Sequence, residues 1–322
     1  MGKLLRFLSS LRLTIVLLCL LLGLVFIGTL AQVQSDIFVV QRDIFYTMVV
    51  WIPLGHTFAI PVYPGGGLLA WLLLINLLVA HTTRFSWTFR KSGLWLIHTG
   101  LIILIASMIY TALFSVESQC RFRIGEAIAY STDLHRIELV AMDHRNPEFD
   151  QVISFDETKL RSGQSLKLPK FGINWQVIAY RNGTVTIQRS GESLTISSKP
   201  TYVDGFEISL RLKRYYTPYT LTLVDFKHDS YTGTDIPSRF LSRVRLDNPL
   251  TNEHREVQIV MNQPFRYAGK TYYQAGYDDN DTVSVLQVVQ NPGWLVPYVS
   301  CGLMGFGLMV HFLLLITRRK SP

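Results

Sequence analysis

The chain has 322 residues, of which 48% are apolar and only 17% charged, with a formal net charge of +8. A soluble chain carries roughly 25% charged residues, so this composition excludes a disordered protein and a coiled coil, and three cysteines exclude a disulfide scaffold. The basic excess is not a nucleic-acid footprint: residues 116–293 hold 21 Lys and Arg against 21 Asp and Glu, while Lys3, Arg6, Arg12, Arg84, Arg90, Lys91, Arg318, Arg319 and Lys320 all flank apolar runs.

The first such run, Leu13 to Ala31, is long enough to cross about 30 Å of hydrocarbon, which takes about 20 helical residues. Thr29-Leu30-Ala31 loosely resembles a signal-peptide cleavage site. The run nevertheless exceeds the about 7–15 residues of a signal-peptide core, so a retained anchor is expected. Residues 44–62 are also apolar and free of acidic and basic side chains other than His56, but Pro53, Gly55 and Pro61 interrupt them, with Pro64 just beyond. As a fifth span they would move Arg84, Arg90 and Lys91 to the wrong side, so a helix lying at or dipping into the outer interface is expected there. Gly67 to Thr83, Leu94 to Ser115 and Trp294 to Ile316 complete four spans.

Basic residues collect on the cytoplasmic side of membrane proteins. Four spans place every basic cluster there, with both termini inside and residues 32–66 and 116–293 outside. The expected plan is thus 1–31, a cytoplasmic N-terminus and first span; 32–66, a short outer loop; 67–115, two spans around a basic loop; 116–293, an outer domain; and 294–322, the last span with a basic tail. The fold class is an α-helical membrane protein with four transmembrane helices and a large extracytoplasmic all-β domain, a sandwich or open barrel.

The β assignment rests on strand-length, β-rich segments at 137–140, 174–179, 184–188, 206–210, 219–224, 256–260 and 283–289. Turn signals separate them at Arg181-Asn182-Gly183, Val203-Asp204-Gly205, Asp247-Asn248-Pro249 and Tyr267-Ala268-Gly269. Cys19 and Cys301 fall within spans, which leaves Cys120 without a partner in the outer domain. There is no Cys-x-x-Cys pair, no Cys-x-x-Cys-His haem-attachment motif, no P-loop and no His-Glu-x-x-His. His135, His144, His228 and His254 lack metal-ligand spacing and read as loop histidines.

The span histidines are more informative, because an ionisable residue in a span is costly. His81 lies three residues before Arg84 and is expected to snorkel or cap. His98 lies seven residues after Lys91, and His311 seven before Arg318, each roughly 10 Å from its flanking charge. Three helices therefore carry an imidazole toward one leaflet. A neutral imidazole is a good axial ligand for haem iron, and a cleft between helices suits a flat, largely apolar ring. A proton relay and a plain interhelical hydrogen bond are the alternatives. His98, followed by Thr99-Gly100 on a Leu/Ile-rich helix, is the best ligand candidate. His311 shares a helical face with Gly307 and Met304, which suits close packing equally well.

Several stretches together resemble the ResB family, also called CcsB, of System II cytochrome c biogenesis. They are Leu11-Arg12-Leu13-Thr14, Pro61-Val62-Tyr63-Pro64-Gly65-Gly66, Leu72 to His81 with Arg84-Phe85, and Ile97-His98-Thr99-Gly100. They continue with Tyr231-Thr232-Gly233-Thr234-Asp235-Ile236-Pro237, Met261 to Tyr267, Gly269 to Tyr277, Val288 to Trp294 and Val310-His311-Phe312. The resemblance covers nearly the whole chain, although the outer domain is shorter than in many members. It implies a subunit of a cytochrome c synthetase in the bacterial cytoplasmic membrane, with the β domain periplasmic. Together with a ResC/CcsA-type partner, it would carry haem b across the membrane and present it to apocytochrome c. That partner bears a tryptophan-rich motif ending in Trp-Asp. None of Trp51, Trp71, Trp87, Trp95, Trp175 and Trp294 forms such a cluster, so this chain resembles the other half of the haem lyase, inactive alone. The family's span ligand matches His98, with the second axial ligand expected from the partner. His311 and His81 are weaker candidates. Tyr231, Asp235 and Asn262 are speculative contacts for apocytochrome or partner, with turn and strand packing as the bland alternative.

Overall fold

The computed structural model describes residues 2–35, 37–54, 58–84, 88–146, 149–168, 171–181, 183–189, 191–203, 205–230, 237–278 and 282–319. Two compact units result, Met1–Ser115 with Asn291–Pro322, and Val116–Gln290.

In the first unit, α1 (Lys3–Leu8) and α2 (Leu11–Ala31) break at Ser9-Ser10, where the Ser10 hydroxyl accepts the Leu13 amide at 3.2 Å and caps α2. A short α3 (Ile37–Val40) widens into a single π turn over Gln41–Phe45. Strands β1 (Val49–Leu54) and β2 (Phe58–Pro64) then pair antiparallel, from Val49 opposite Pro64 to Leu54 opposite Phe58. The interfacial helix expected over 44–62 is therefore a β-hairpin with only its approach helical. Val49, Val50, Ile52, Ile60 and Val62 favour extended backbone, and the prolines remove donors that a helix needs.

Helices α4 (Gly66–Arg84), α5 (Ser92–Phe114) and α6 (Val296–Arg319) follow, and with α2 they are, among the described residues, the four long enough and apolar enough to cross a membrane. They pack in chain order: α2 on α4, α4 on α5, and α5 on α6. Leu17, Leu24, Leu69 and Leu73 form the α2–α4 core. A buried Asn76 bolts its end: Nδ2 donates to the Leu8 carbonyl at 2.5 Å, and Oδ1 accepts the Thr14 hydroxyl at 2.7 Å. An amide in an apolar helix is tolerated because both its ends are satisfied.

The second unit is all β. A ten-stranded antiparallel sheet runs in the order β13 (Glu253–Val260), β12 (Pro237–Asn248), β11 (Phe206–Ser230), β4 (Ala127–Asp143), β3 (Val116–Arg123), β16 (Val283–Gln290), β15 (Lys270–Asp278), β14 (Phe265–Tyr267). Strand β5 (Gln151–Asp156) pairs with β4, and β10 (Thr201–Val203) with β11. The sheet curls into a nearly closed barrel, so side chains from distant strands meet inside it. Ser242 of β12 donates to Gln274 of β15 at 2.6 Å and touches Ser284 of β16 at 2.7 Å, and the Tyr219 and Tyr272 hydroxyls meet at 2.7 Å, all buried. The segments 206–210 and 219–224 belong to one 25-residue strand, because register shifts at Leu212/Arg214 and Tyr216/Leu221 let β11 bend without ending.

A second sheet, β6 (Ser165–Leu168), β7 (Ile173–Arg181), β8 (Thr184–Arg189) and β9 (Glu192–Ile196), covers the other half of β4 and β11. Its inward residues Leu166, Trp175, Val177, Val185 and Ile187 meet Leu139, Ala141, Phe155, Phe206 and Ile208 of the large sheet. This is sandwich packing, in which alternate residues from two faces share one core.

Cys120 is buried in the barrel core, and burial pushes its thiol up to about 12. It is an inert core residue in this setting. At the surface, His144 Nδ1 meets Asp150 Oδ1 at 2.6 Å and Nε2 lies 3.3 Å from Glu207 Oε2. The hydrogen bond to Asp150 is the main cause of a His144 pKa raised above its ordinary 6.5. Such a group stabilises the fold below the unfolded value of about 6.5, and that stabilisation is lost as pH rises through the raised folded value. Asp150→Asn is expected to move the His144 midpoint back toward 6.5 in a histidine-ring NMR titration of the full-length chain; an unmoved midpoint refutes the pairing. Trp175 is fully buried in the sandwich. Trp175→Ala is expected to cost about 3–5 kcal/mol by denaturant unfolding of the β unit.

Candidate functional site

Helix α5 has two working faces. One carries Gly93, Gly100 and Ser107, its three buried residues, toward α6. A Cβ on Gly93 would stand 2.6 Å from the Gly307 carbonyl and from His311 Cα. One on Gly307 would stand 2.7 Å from Leu96 Cβ, and one on Gly100 2.6 Å from Met304 Cγ. Backbone thus meets backbone, the packing that small residues permit where lipid supplies no hydrophobic drive. His311 lies in this seam. Its backbone nitrogen and Cα pack on Gly93, while its ring lies 5.9 Å from that of Phe312.

The other face meets α4. His98 Nδ1 lies 2.8 Å from the carbonyl oxygen of Leu94, one turn back. A carbonyl only accepts, so in the neutral ring Nδ1 carries the hydrogen and Nε2 the lone pair. That is the tautomer a metal-ligating imidazole takes, with its second nitrogen held by an oriented acceptor. Against it stands His81 of α4, its ring centroid 6.3 Å from that of His98 with the planes 23° apart. The His81 ring lies 4.0 Å from the Trp95 ring, and its Nε2 is 3.5 Å from the Thr99 hydroxyl. His81 therefore does not snorkel. It is buried, because the first turns of α5 cover it.

All three histidines gather around the first turns of α5: His81 and His98 in one seam, His311 in the other. Trp95, Thr99 and the Leu94 carbonyl complete the first seam; of these the sequence reading singled out only Thr99. The usable signal for Trp95 is spacing, since it lies three residues before His98 and four before Thr99 and so shares a stripe of α5 with both. The outer residues are not assembled with these. Asn262 lies exposed in the turn after β13, and Tyr231 and Asp235 fall outside the described residues. No group of three or more His, Cys, Asp or Glu with metal-binding geometry occurs among the described residues.

A family model described as the ResB-like family matches residues 87–285, more than half of the chain. The chain belongs to the ResB-like family. That match begins before α5 and ends within β16, so it takes in His98, Trp95 and nearly all of the β unit. Protein NrfI of Wolinella succinogenes is 32% identical over 121 residues, which is 37% of this chain. The match spans 13% of NrfI, a much longer protein. Among solved structures, the cytochrome c haem lyase CcmF aligns over 94% of this chain and 34% of its own, with 11% identity and a TM-score of 0.30, below the level of a common fold.

Gly93→Leu forces side-chain volume into a seam whose neighbours are backbone atoms. It is expected to lower the melting temperature of the detergent-solubilised chain, whereas Gly302→Leu, where a Cβ meets nothing within 4 Å, leaves it unchanged. Equal melting of both variants refutes the seam.

Proposed function

We propose that this membrane protein is a ResB-type subunit of a cytochrome c biogenesis complex, and that it helps carry haem b through the bilayer and present it for attachment to apocytochrome c. The carrying observation is His98, an imidazole in an apolar helix with its tautomer set by the Leu94 carbonyl and a second imidazole, His81, beside it. Membership of the ResB-like family supports the setting.

In this reading the four long helices cross the bacterial cytoplasmic membrane with the termini and the His81–His98 end at the cytoplasmic face and the β unit outside. Haem is cargo, and its iron takes an imidazole ligand. His98 is the axial ligand supplied by this chain. Trp95 and the aliphatic side chains of α5 give a flat ring an apolar wall, and Arg84, Arg90 and Lys91 lie at the same helix ends, where carboxylates are attracted. A ResC/CcsA-type membrane protein with a Trp-Asp motif supplies the opposite ligand. Dividing two ligands between two polypeptides makes release possible, because a shift of the interface removes one bond without destroying the other site. The chain is then inactive by itself, and attachment takes place on the complex.

The experiment is haem spectroscopy on the complex co-purified with its partner. His98→Ala is expected to lower the Soret absorbance per complex by about tenfold or more, equivalent to losing at least ~1.4 kcal/mol of ligation, and to abolish cytochrome c maturation, with added imidazole restoring part of both. Full haem and full maturation in the variant would refute the ligand role. Loss of assembly on changing residues 231–277, with all three histidines dispensable, would instead establish a docking anchor that binds no haem.

A further inference from the structure

The β1–β2 hairpin is the one element of the first unit whose surface the fold leaves unexplained. From Ile44 to Thr83 the chain contains no Asp, Glu, Lys or Arg. Tyr46, Met48, Trp51, Ile52, Phe58 and Val62 are all more than one-third exposed, with Phe58 at 65% and Trp51 at 55%. Side chains alternate between faces along a strand, so adjacent exposed residues such as Trp51 and Ile52 mean that both faces of the ribbon are bare beyond its root, where Val50 and Tyr63 pack on the α2–α4 core. A two-stranded hairpin with two bare apolar faces is at best marginally stable in water. Something apolar must cover it.

Its root shows what does. The Tyr63 hydroxyl donates to the Leu20 carbonyl at 2.9 Å, where Gly23 makes room for the phenol oxygen, and the Phe45 ring rests on Gly28. Leu20 lies eleven residues before the end of α2, so the hairpin is rooted roughly 16 Å along the axis from that end, about half the depth of a bilayer core. It enters α4 at Gly66, while His81 sits near the opposite end of that helix. A ribbon starting at span depth, without charge, carrying Tyr and Trp, has the chemistry of the lipid boundary, where aromatic rings with one polar atom concentrate. Pro61 and Pro64 remove two backbone donors from β2, which lowers the cost of an unpaired edge near lipid.

We propose that strands β1 and β2 form a lipid-embedded hairpin, seated in the acyl–headgroup boundary of the leaflet opposite the His81–His98 end. The inference rests on the four-span reading above and is tested so that the two fail separately. The full chain, with its three cysteines replaced by serine, is reconstituted in phosphatidylcholine/phosphatidylglycerol nanodiscs. A nitroxide is placed at Ile60→Cys or Val62→Cys, at Leu22→Cys on the exposed face of α2, and at Leu250→Cys in a β-domain turn. Collision with lipid-soluble oxygen and water-soluble nickel chelate is measured by EPR. Hairpin labels relaxed by oxygen, as at Leu22, and shielded from nickel support the proposal. Hairpin labels relaxed by nickel, as at Leu250, overturn it while the Leu22 result keeps the spans. Labels shielded from both reagents and immobilised overturn it in favour of a protein partner on the ribbon. Nickel access at Leu22 itself overturns the span reading, and the hairpin proposal with it.

Discussion

An apolar helix offers a polar side chain no water, so each polar group must find its partner within the protein, and the first unit is organised by that demand. His98 gives its Nδ1 hydrogen to Leu94, Ser107 donates to Leu104, Ser300 to Val296, and Asn76 satisfies three groups of α1 and α2 at once. These are not equivalent. A serine bonding back to its own helix is neutral in its consequences. An imidazole doing the same commits one nitrogen and thereby defines what the other can do. The Leu94 carbonyl is thus the constraint on which the site depends, and it needs no particular side chain at position 94, only an intact helix.

That helix is held rigid from its other face. Gly93, Gly100 and Gly307 bring α5 and α6 to backbone contact, which fixes the rotation of α5 about its axis and so the direction in which His98 and Trp95 point toward α4. Under the proposed function, that rigidity keeps the His98 imidazole aimed at its cargo. The glycine seam and the histidine seam are therefore two halves of one device, structural on the α6 side and chemical on the α4 side.

Much of this was legible in the sequence. The four long apolar helices follow from run length, and His98 stands out because an ionisable group in a Leu/Ile-rich helix is expensive. Less legible was anything decided by tertiary contact. His81 looked like a boundary residue from its distance to Arg84; only the approach of Trp95 buries it. The stretch 44–62 is uniformly apolar, so it shows neither a 3.6 nor a 2.0 period, and its β-branched residues and prolines, not its hydropathy, carried the information that it is a hairpin. In the β unit, 206–210 and 219–224 read as two strands because Tyr216-Thr217-Pro218 breaks the alternation, yet β11 absorbs that break as an irregularity between Tyr216 and Leu221.

The two ends of α4 are specialised differently, and this bears on how cargo would move under the proposed function. Its C-terminal half is tied down twice, by Asn76 to α1 and α2 and by His81 to α5. Its N-terminal end is reached through the Phe45–Tyr63 approach, whose anchors are an aromatic ring on Gly28 and a phenol on the Leu20 carbonyl. One end is thus held by polar bonds between helices and the other by a lever of apolar ribbon. If the ribbon is embedded in lipid, the N-terminal end of α4, already packed on α2 through Leu69 and Leu73, gains a second hold in the bilayer. Loss of the His81–Trp95 contact would then loosen the α4–α5 seam and leave the α5–α6 seam packed. A carrier needs such a division: one seam that opens, and one that keeps its ligand aimed while it does.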